Sequence, residues 1–251
     1  MLVSGIVLTA VLALPPARLN HLQSELGAQG IPPAEIELLL ADPRLVPYPP
    51  PVKRKSNWAE FRKKLLSPES VADGRDFLRT HADILARAEQ EFGVHREDLA
   101  AVVRIETDFG RFTGEHEVLR VFYTAMLRAK SAARWRWAAK NFAALAAHCR
   151  SSGLDCYEVR GSYAGAVGLV QFLPYSILHY GKDGNGDGKV DLFLVEDAVM
   201  SAAHFLVRHG WKPDAGRRKR ALGRYYGSPR SYPDAALAYA EKLRTSFTSA
   251  R

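Results

Sequence analysis

In REDLAAVVRIETDFG, residues 96–110, apolar side chains recur with helical spacing and one glutamate, Glu106, falls in line with them. Leu99, Val102 and Val103 stand seven, four and three residues before Glu106, and Phe109 three after it, so the spacing predicts a helix with all five on one face. A carboxylate on an apolar face is unexpected. Either an arginine neutralises it, or its burial serves a chemical purpose.

Helical signals dominate on both sides of this stretch. NWAEFRKKLL (57–66), SPESVADGRDFLRTHADILARAEQEFGV (67–94) and the long run from Glu117 to Cys149 all read as helix, and strand signals are few. Between Ala17 and Leu45 two short helices are expected, the second restarting after Gly30 with proline in its first turn. VPYPPPVKRKSN, residues 46–57, carries four prolines and three basic residues and reads as an extended linker or surface strap. The fold class is therefore mainly α. Three segments follow from this pattern: residues 1–17, residues 18–57 with the N-terminal helices and the proline-rich linker, and a catalytic or binding domain over 58–251.

The first segment, MLVSGIVLTAVLALPPA, has the length of a signal-peptide core and is short for a membrane-spanning helix. No lysine or arginine precedes Arg18 and no clean A-x-A site follows, so an exported leader, an uncleaved anchor and a buried N-terminal helix are the readings it allows. The 251 residues, 47% hydrophobic and 25% charged, suit one sizeable folded core. A formal charge of +8 favours an anionic partner, whether nucleic acid, anionic lipid or an acidic wall polymer. Cys149 and Cys156 flank RSSGLD, a turn-like stretch that permits a disulfide as readily as two free thiols; zinc is disfavoured, with His148 the only other ligand nearby.

DGNGDGKVDLFLVED, residues 183–197, is the most specific local signal. Asp183, Asn185 and Asp187 occupy positions 1, 3 and 5 of a calcium loop, Gly188 supplies the turn at position 6 and Lys189 offers a carbonyl at 7. Leu194 stands at position 12, where an acid is usual, so closure is expected later, at Asp197. Upstream, GSYAGAVGLVQFLPYS (161–176) spaces Gly161, Gly165 and Gly168 among small and aromatic residues, and Gln171 emerges between apolar neighbours where its amide could orient a polar ligand. The spacing fits neither dinucleotide nor Walker sequences. In RAKSAARWRWAAKNF (128–142), Trp135 and Trp137 cannot both face a core, so one belongs to a groove or surface. No helix-turn-helix or stacking platform accompanies them, and no nucleic-acid partner is expected.

Taken together, IETDFGRFTG, GSYAGAVGLVQFLP and DGNGDGKVDLF followed by EDAVMSAAHFLVRHGW resemble the lytic murein transglycosylase B family, from about Trp58 to about Leu243. The resemblance implies a lysozyme-like helical domain that cleaves peptidoglycan between N-acetylmuramic acid and N-acetylglucosamine and leaves 1,6-anhydromuramoyl ends. It implies Glu106 as catalytic acid, Ser162 and Gln171 as sugar-contacting residues, a structural Ca2+ in an extended loop, and a periplasmic or otherwise extracytoplasmic location. Cell-wall enzyme complexes are implied partners, and residues 1–17 leave membrane association open.

In ALGRYYGSPRSYPDAALAYAEKL, Tyr225 and Tyr232 match the family's closing tyrosines, whereas Tyr226 replaces an asparagine. Only KPDAGRRKRALG separates HGW from those tyrosines, too little for the family's small β-rich subdomain, and LRAKSAAR replaces an aromatic-proline-arginine run. Asp108 is expected to pair with Arg104, while Glu115 and Glu117 in the following loop stay open as second carboxylates. The same scaffold also admits a hydrolytic muramidase or a catalytically weak peptidoglycan-binding protein.

Overall fold

The computed structural model describes residues 14–50, 57–226 and 231–248. Most of the 1–17 segment and the centre of the proline run lie outside the described residues. The chain before the Glu106 helix forms α1 (Pro16–Ala28), α2 (Pro33–Ala41), α3 (Trp58–Leu65), α4 (Pro68–Thr80) and α5 (Ala82–Phe92). Then come α6 (Arg96–Thr107), α7 (Val118–Arg128), α8 (Ala132–Ser152), α9 (Pro174–Tyr180), α10 (Val195–Arg208), α11 (Ala215–Tyr226) and α12 (Ser231–Thr248). Among the described residues the only sheet is one antiparallel pair, β1 (His116–Glu117) with β2 (Arg160–Gly161), in which His116 faces Gly161. The expected mainly α, lysozyme-like class with few short strands is observed.

Helix starts follow local chemistry. Asn57, Ser67 and Ser131 accept a backbone N–H from the residue three positions on, capping α3, α4 and α8. Proline opens α1, α2, α4 and α9, where its missing N–H costs nothing. The long helical run from Glu117 breaks into α7 and α8 at Ala129–Ser131, and α8 ends at Gly153 in the left-handed region. Cys149, near the end of α8, is bonded to Cys156, which settles the cysteine question in favour of a disulfide.

Leu22 and Leu26 of α1 and Ile36 of α2 are buried in the same core as the later helices, with α1 lying along α8. Trp135 and Trp137 divide as expected. Trp135 meets His21 edge-on and lies near Arg18, both on α1, while Trp137 meets Phe122 of α7 edge-on. α10 reaches α11 through a short connection, with no subdomain between them. No helix of the described residues is long and apolar enough to cross a membrane.

α6 runs through the centre, packed against α4, α5, α10 and α12, and eight of its twelve residues are buried. Asp98 in its first turn is fully buried and accepts hydrogen bonds from the Trp211 indole (2.9 Å) and from both Nε (2.9 Å) and Nη2 (2.5 Å) of Arg218. This bidentate pair fixes α11 against α6. Asp98→Ala should therefore cost on the order of 3 kcal/mol, because Arg218 would keep its charge in a shielded site and lose its hydrogen-bonded counterion, with Glu97 and Glu241 acting on it only through space. Urea unfolding measures this, and an unchanged midpoint would show that the pair contributes nothing net.

Candidate active site

Glu106 is the penultimate residue of α6. It lines a cavity of about 260 Å³ together with Phe61, Lys64, Ile105, Asp108 and Phe112. The Glu106 Oε1 accepts a hydrogen bond from the Tyr232 hydroxyl (2.7 Å), carried on α12. Burial raises the Glu106 pKa to about 7, with the Tyr232 donor pulling weakly the other way. The negative end of the α6 dipole also opposes ionisation there.

Phe109 does not share the Glu106 face. Asp108 and Phe109 both adopt left-handed backbone, with φ of 54° and 56°, which ends the helix before the expected i+3 contact. Phe109 instead stacks on Phe77 of α4 with ring centroids 4.7 Å apart. The carboxyl is thus enclosed from the tyrosine side. Tyr225 lies parallel to Tyr232 at 6.3 Å, donates to the Val170 carbonyl (2.8 Å), and has its phenol pushed well above the ordinary range by burial and by the nearby Glu106 charge.

The other carboxylates are engaged elsewhere. Asp108 pairs with Arg104 at 2.8 Å, as expected, and with Arg111 at 3.3 Å. Glu117 is held by Tyr48 (2.5 Å) and Arg120 (2.6 Å), and Glu115 is exposed; neither lines the Glu106 cavity.

The glycine tract is docked onto the end of α6. Thr107 donates its hydroxyl to the Leu169 carbonyl (2.8 Å), a link that the sequence reading missed although the threonine sits beside Glu106 in IETDFG. Gly114 shows why no larger residue fits nearby: a Cβ there would lie 2.1 Å from the Gly161 backbone. Within the tract, the Gln171 amide nitrogen donates to the carbonyls of Thr113 (3.0 Å) and Gly168 (2.9 Å), and the Ser162 hydroxyl accepts from the Ala166 N–H (3.1 Å). Both predicted sugar-contacting residues therefore shape the tract, and only Tyr232 touches Glu106 directly. Phe112 was also missed. It is 71% exposed at the cavity, and nothing in the sequence pattern distinguishes it from a core aromatic.

In the acidic loop the Asp183 carboxylate accepts from the N–H groups of Gly186 (2.6 Å), Asp187 (3.2 Å) and Gly188 (2.7 Å). Asn185 accepts from Asp187, and Asp187 from Lys189. Asp197, fully buried at the start of α10, closes the loop by accepting from Gly184 (2.7 Å), Asn185 (3.3 Å) and Asp191 (2.6 Å). No three acidic, histidine or cysteine side chains converge as a metal site among the described residues. The donor chemistry, carboxylate and amide oxygens without sulfur or imidazole, nevertheless fits a hard cation.

Residues 16–223 match the family described as Transglycosylase SLT domain. The chain belongs to this family. Membrane-bound lytic murein transglycosylase B of Escherichia coli K12 is 31% identical over 184 residues, which cover 73% of this chain and 50% of that protein. The chain thus matches about half the length of this curated relative. Soluble lytic transglycosylase SltB1 of Pseudomonas aeruginosa superimposes on this transglycosylase domain with a TM-score of 0.77 at 22% identity, covering 93% of this chain and 100% of that one. Escherichia coli Slt35 in complex with calcium gives a TM-score of 0.75 at 20% identity, covering 92% and 93%. These structures share the fold.

A carboxyl whose pKa is raised on folding stabilises the protonated folded state. That contribution is complete below the ordinary glutamate pKa near 4.5 and is lost as pH rises through about 7. Glu106→Gln should consequently be more stable than the wild type at pH 8.5, by roughly 3 kcal/mol and with a higher melting temperature, and close to it at pH 4.5. A pH-independent difference in melting temperature would contradict the shift.

Proposed function

We propose that this chain cleaves peptidoglycan as a lytic transglycosylase, with Glu106 as its single acid and base. The observation that carries the reading is a carboxyl in a cavity wall, raised to about 7, with a tyrosine donor and, among the described residues, no ion pair to a cation. Family membership supports the same chemistry.

Protonated Glu106 donates to the oxygen linking C1 of N-acetylmuramic acid to O4 of N-acetylglucosamine, and the C1–O bond breaks with its electron pair on the leaving oxygen. The substrate acetamido group stabilises the cation at C1. The resulting Glu106 carboxylate then takes the proton of the C6 hydroxyl as that oxygen closes onto C1, which forms the 1,6-anhydro ring and restores the acid. Water is not consumed. A second carboxylate is not required, consistent with Asp108 being spent on arginines. Tyr232 holds Glu106 in place, Tyr225 encloses it, and Ser162 and Gln171 shape the wall along which sugars lie.

We assign the substrate as peptidoglycan glycan strands outside the cytoplasm, and the 183–197 loop as the holder of a structural Ca2+ through Asp183, Asn185, Asp187, the Lys189 carbonyl and Asp197. A cation there would offset acidic charge gathered beside a buried helix start and stabilise the loop; it has no part in bond cleavage.

Mass spectrometry of products released from purified peptidoglycan tests the reaction. Anhydromuropeptides are expected from the wild type, with the rate reduced by about 10²–10⁴ in Glu106→Gln. Reducing-end products lost in the mutant would make the protein a hydrolase, and no release from folded wild type would overturn the enzymatic reading. The rate should also fall above pH 7, as the acid form of Glu106 is depleted. For the metal, adding Ca2+ to chelator-treated protein should raise the melting temperature, because the ion binds only the folded loop. An unchanged melting temperature would remove the calcium assignment.

A further inference from the structure

Arg87, in the middle of α5, spends its charge outside its own helix. Asp83 and Glu91 stand four residues before and after it, the spacing at which helical ion pairs form, yet neither pairs with it among the described residues. Its Nη2 donates instead to the carbonyl of Gly184, in the acidic loop. α5 packs along α10, whose first turn carries Asp197 and closes that loop, so the guanidinium arrives from a neighbour of the helix on which the loop ends.

Gly184 is the seam of the loop. It follows Asp183 and is buried, its N–H donates to Asp197 (2.7 Å), and a Cβ there would lie 2.2 Å from the Glu196 carbonyl oxygen. The start and the end of the loop therefore meet at one residue, held by Asp197 through its N–H and by Arg87 through its carbonyl. The groups that Asp183 and Asp197 accept from within the loop are uncharged backbone amides. Arg87 adds a full positive charge. The N–H of Gly188 chiefly, with those of Gly186 and Asp187 and the Arg87 charge, holds the Asp183 carboxyl below the usual carboxylate range.

We propose that Arg87 is an internal cation of the 183–197 loop, offsetting the same acidic charge that a bound Ca2+ would offset, so that guanidinium and ion oppose one another. The inference rests on the proposed calcium assignment. Two positive charges beside one set of carboxylates repel, and the relief that either gives is smaller when the other is in place. Linkage makes the effect reciprocal: the factor by which Arg87 weakens Ca2+ binding is the factor by which Ca2+ reduces what Arg87 contributes to stability. A clamp that acted only on the Gly184 carbonyl would have the opposite sign, because it would hold the loop ready for the ion and its removal would weaken binding.

Calorimetric titration with Ca2+ of chelator-treated, full-length wild type and Arg87→Met, with melting temperatures in chelator and in excess Ca2+, tests this without relying on turnover. Methionine keeps an unbranched stem and a high helix propensity on α5, and the position is exposed. Arg87→Met should melt below the wild type in chelator, bind Ca2+ about fivefold or more tightly, and recover most of the lost melting temperature in excess Ca2+. Arg87→Lys, which keeps the charge, should bind Ca2+ as the wild type does. Equal or weaker Ca2+ binding by Arg87→Met, or a loss of melting temperature that Ca2+ leaves unchanged, would overturn the inference while leaving the calcium assignment in place. No Ca2+ binding by wild type or variant would refute that assignment and the antagonism with it.

Discussion

Burying α6 on nearly every side obliges each polar side chain on it to find a partner, and those partners come from the elements that build the site. Asp98 takes Trp211 and Arg218. Arg104 takes Ser70 of α4 and Asp108, Thr107 takes the Leu169 carbonyl, and Glu106 takes Tyr232 of α12. An unpaired buried polar group costs roughly 1–3 kcal/mol, so each link is enforced by the penalty of leaving it unmade. One helix thereby positions α4, α11, α12 and the glycine tract around its C-terminal end. Apolar contacts alone, which are not directional, would set the distance between these elements but not their register.

Helix existence was legible in the sequence because caps, prolines and apolar spacing act locally. Asn57, Ser67 and Ser131 each satisfy an N–H three residues away, information confined to one turn. Glu106 was legible for the opposite reason, as a charge in conflict with the local apolar pattern, and such conflicts gather where function overrides packing. The Asp108–Arg104 pair followed from i,i+4 geometry. What escaped was decided at longer range or by backbone choice. Phe109 fits the helical period but lies beyond two residues in left-handed conformation, just before Gly110, and its ring goes to Phe77. Gln171 and Ser162 read as ligand groups because their side chains are polar among apolar neighbours. In the fold, much of that polarity satisfies backbone groups of a tract too irregular to pair with itself. The division of the chain at the proline run likewise reflected composition. α1 and α2 share the core of the rest, a fact set by packing against α8 over more than a hundred residues of separation.

The strap shows how such a segment is used. Prolines cannot donate backbone hydrogen bonds, so an extended run lies on a surface only if neighbouring side chains grip its carbonyls and the remaining N–H groups. Arg120 holds the Val46 carbonyl (2.8 Å), Arg128 that of Tyr48, and Thr124 the Tyr48 N–H. Part of the positive charge on α7 is thus structural. These arginines keep their charge within the formal +8, but donors that serve backbone carbonyls or carboxylates of the same chain are already engaged.

Glu106 and Asp108 lie two residues apart and border one cavity, yet their side chains meet different partners. Asp108 sits between Arg104 and Arg111, at 2.8 Å and 3.3 Å from their guanidiniums. Those contacts leave neither guanidinium to stabilise a Glu106 anion, and desolvation there is opposed only by a neutral phenol. Helical spacing makes this separation possible. Two residues of helix turn about 200°, which places the two carboxyls on nearly opposite faces of α6. One carboxyl thus reaches Arg104, four residues back, and the other lies under Tyr232, before the left-handed turn at Asp108 ends the helix. The two-residue spacing therefore separates a carboxylate engaged by arginines from a carboxyl whose burial, opposed only by a phenol, raises its pKa to about 7.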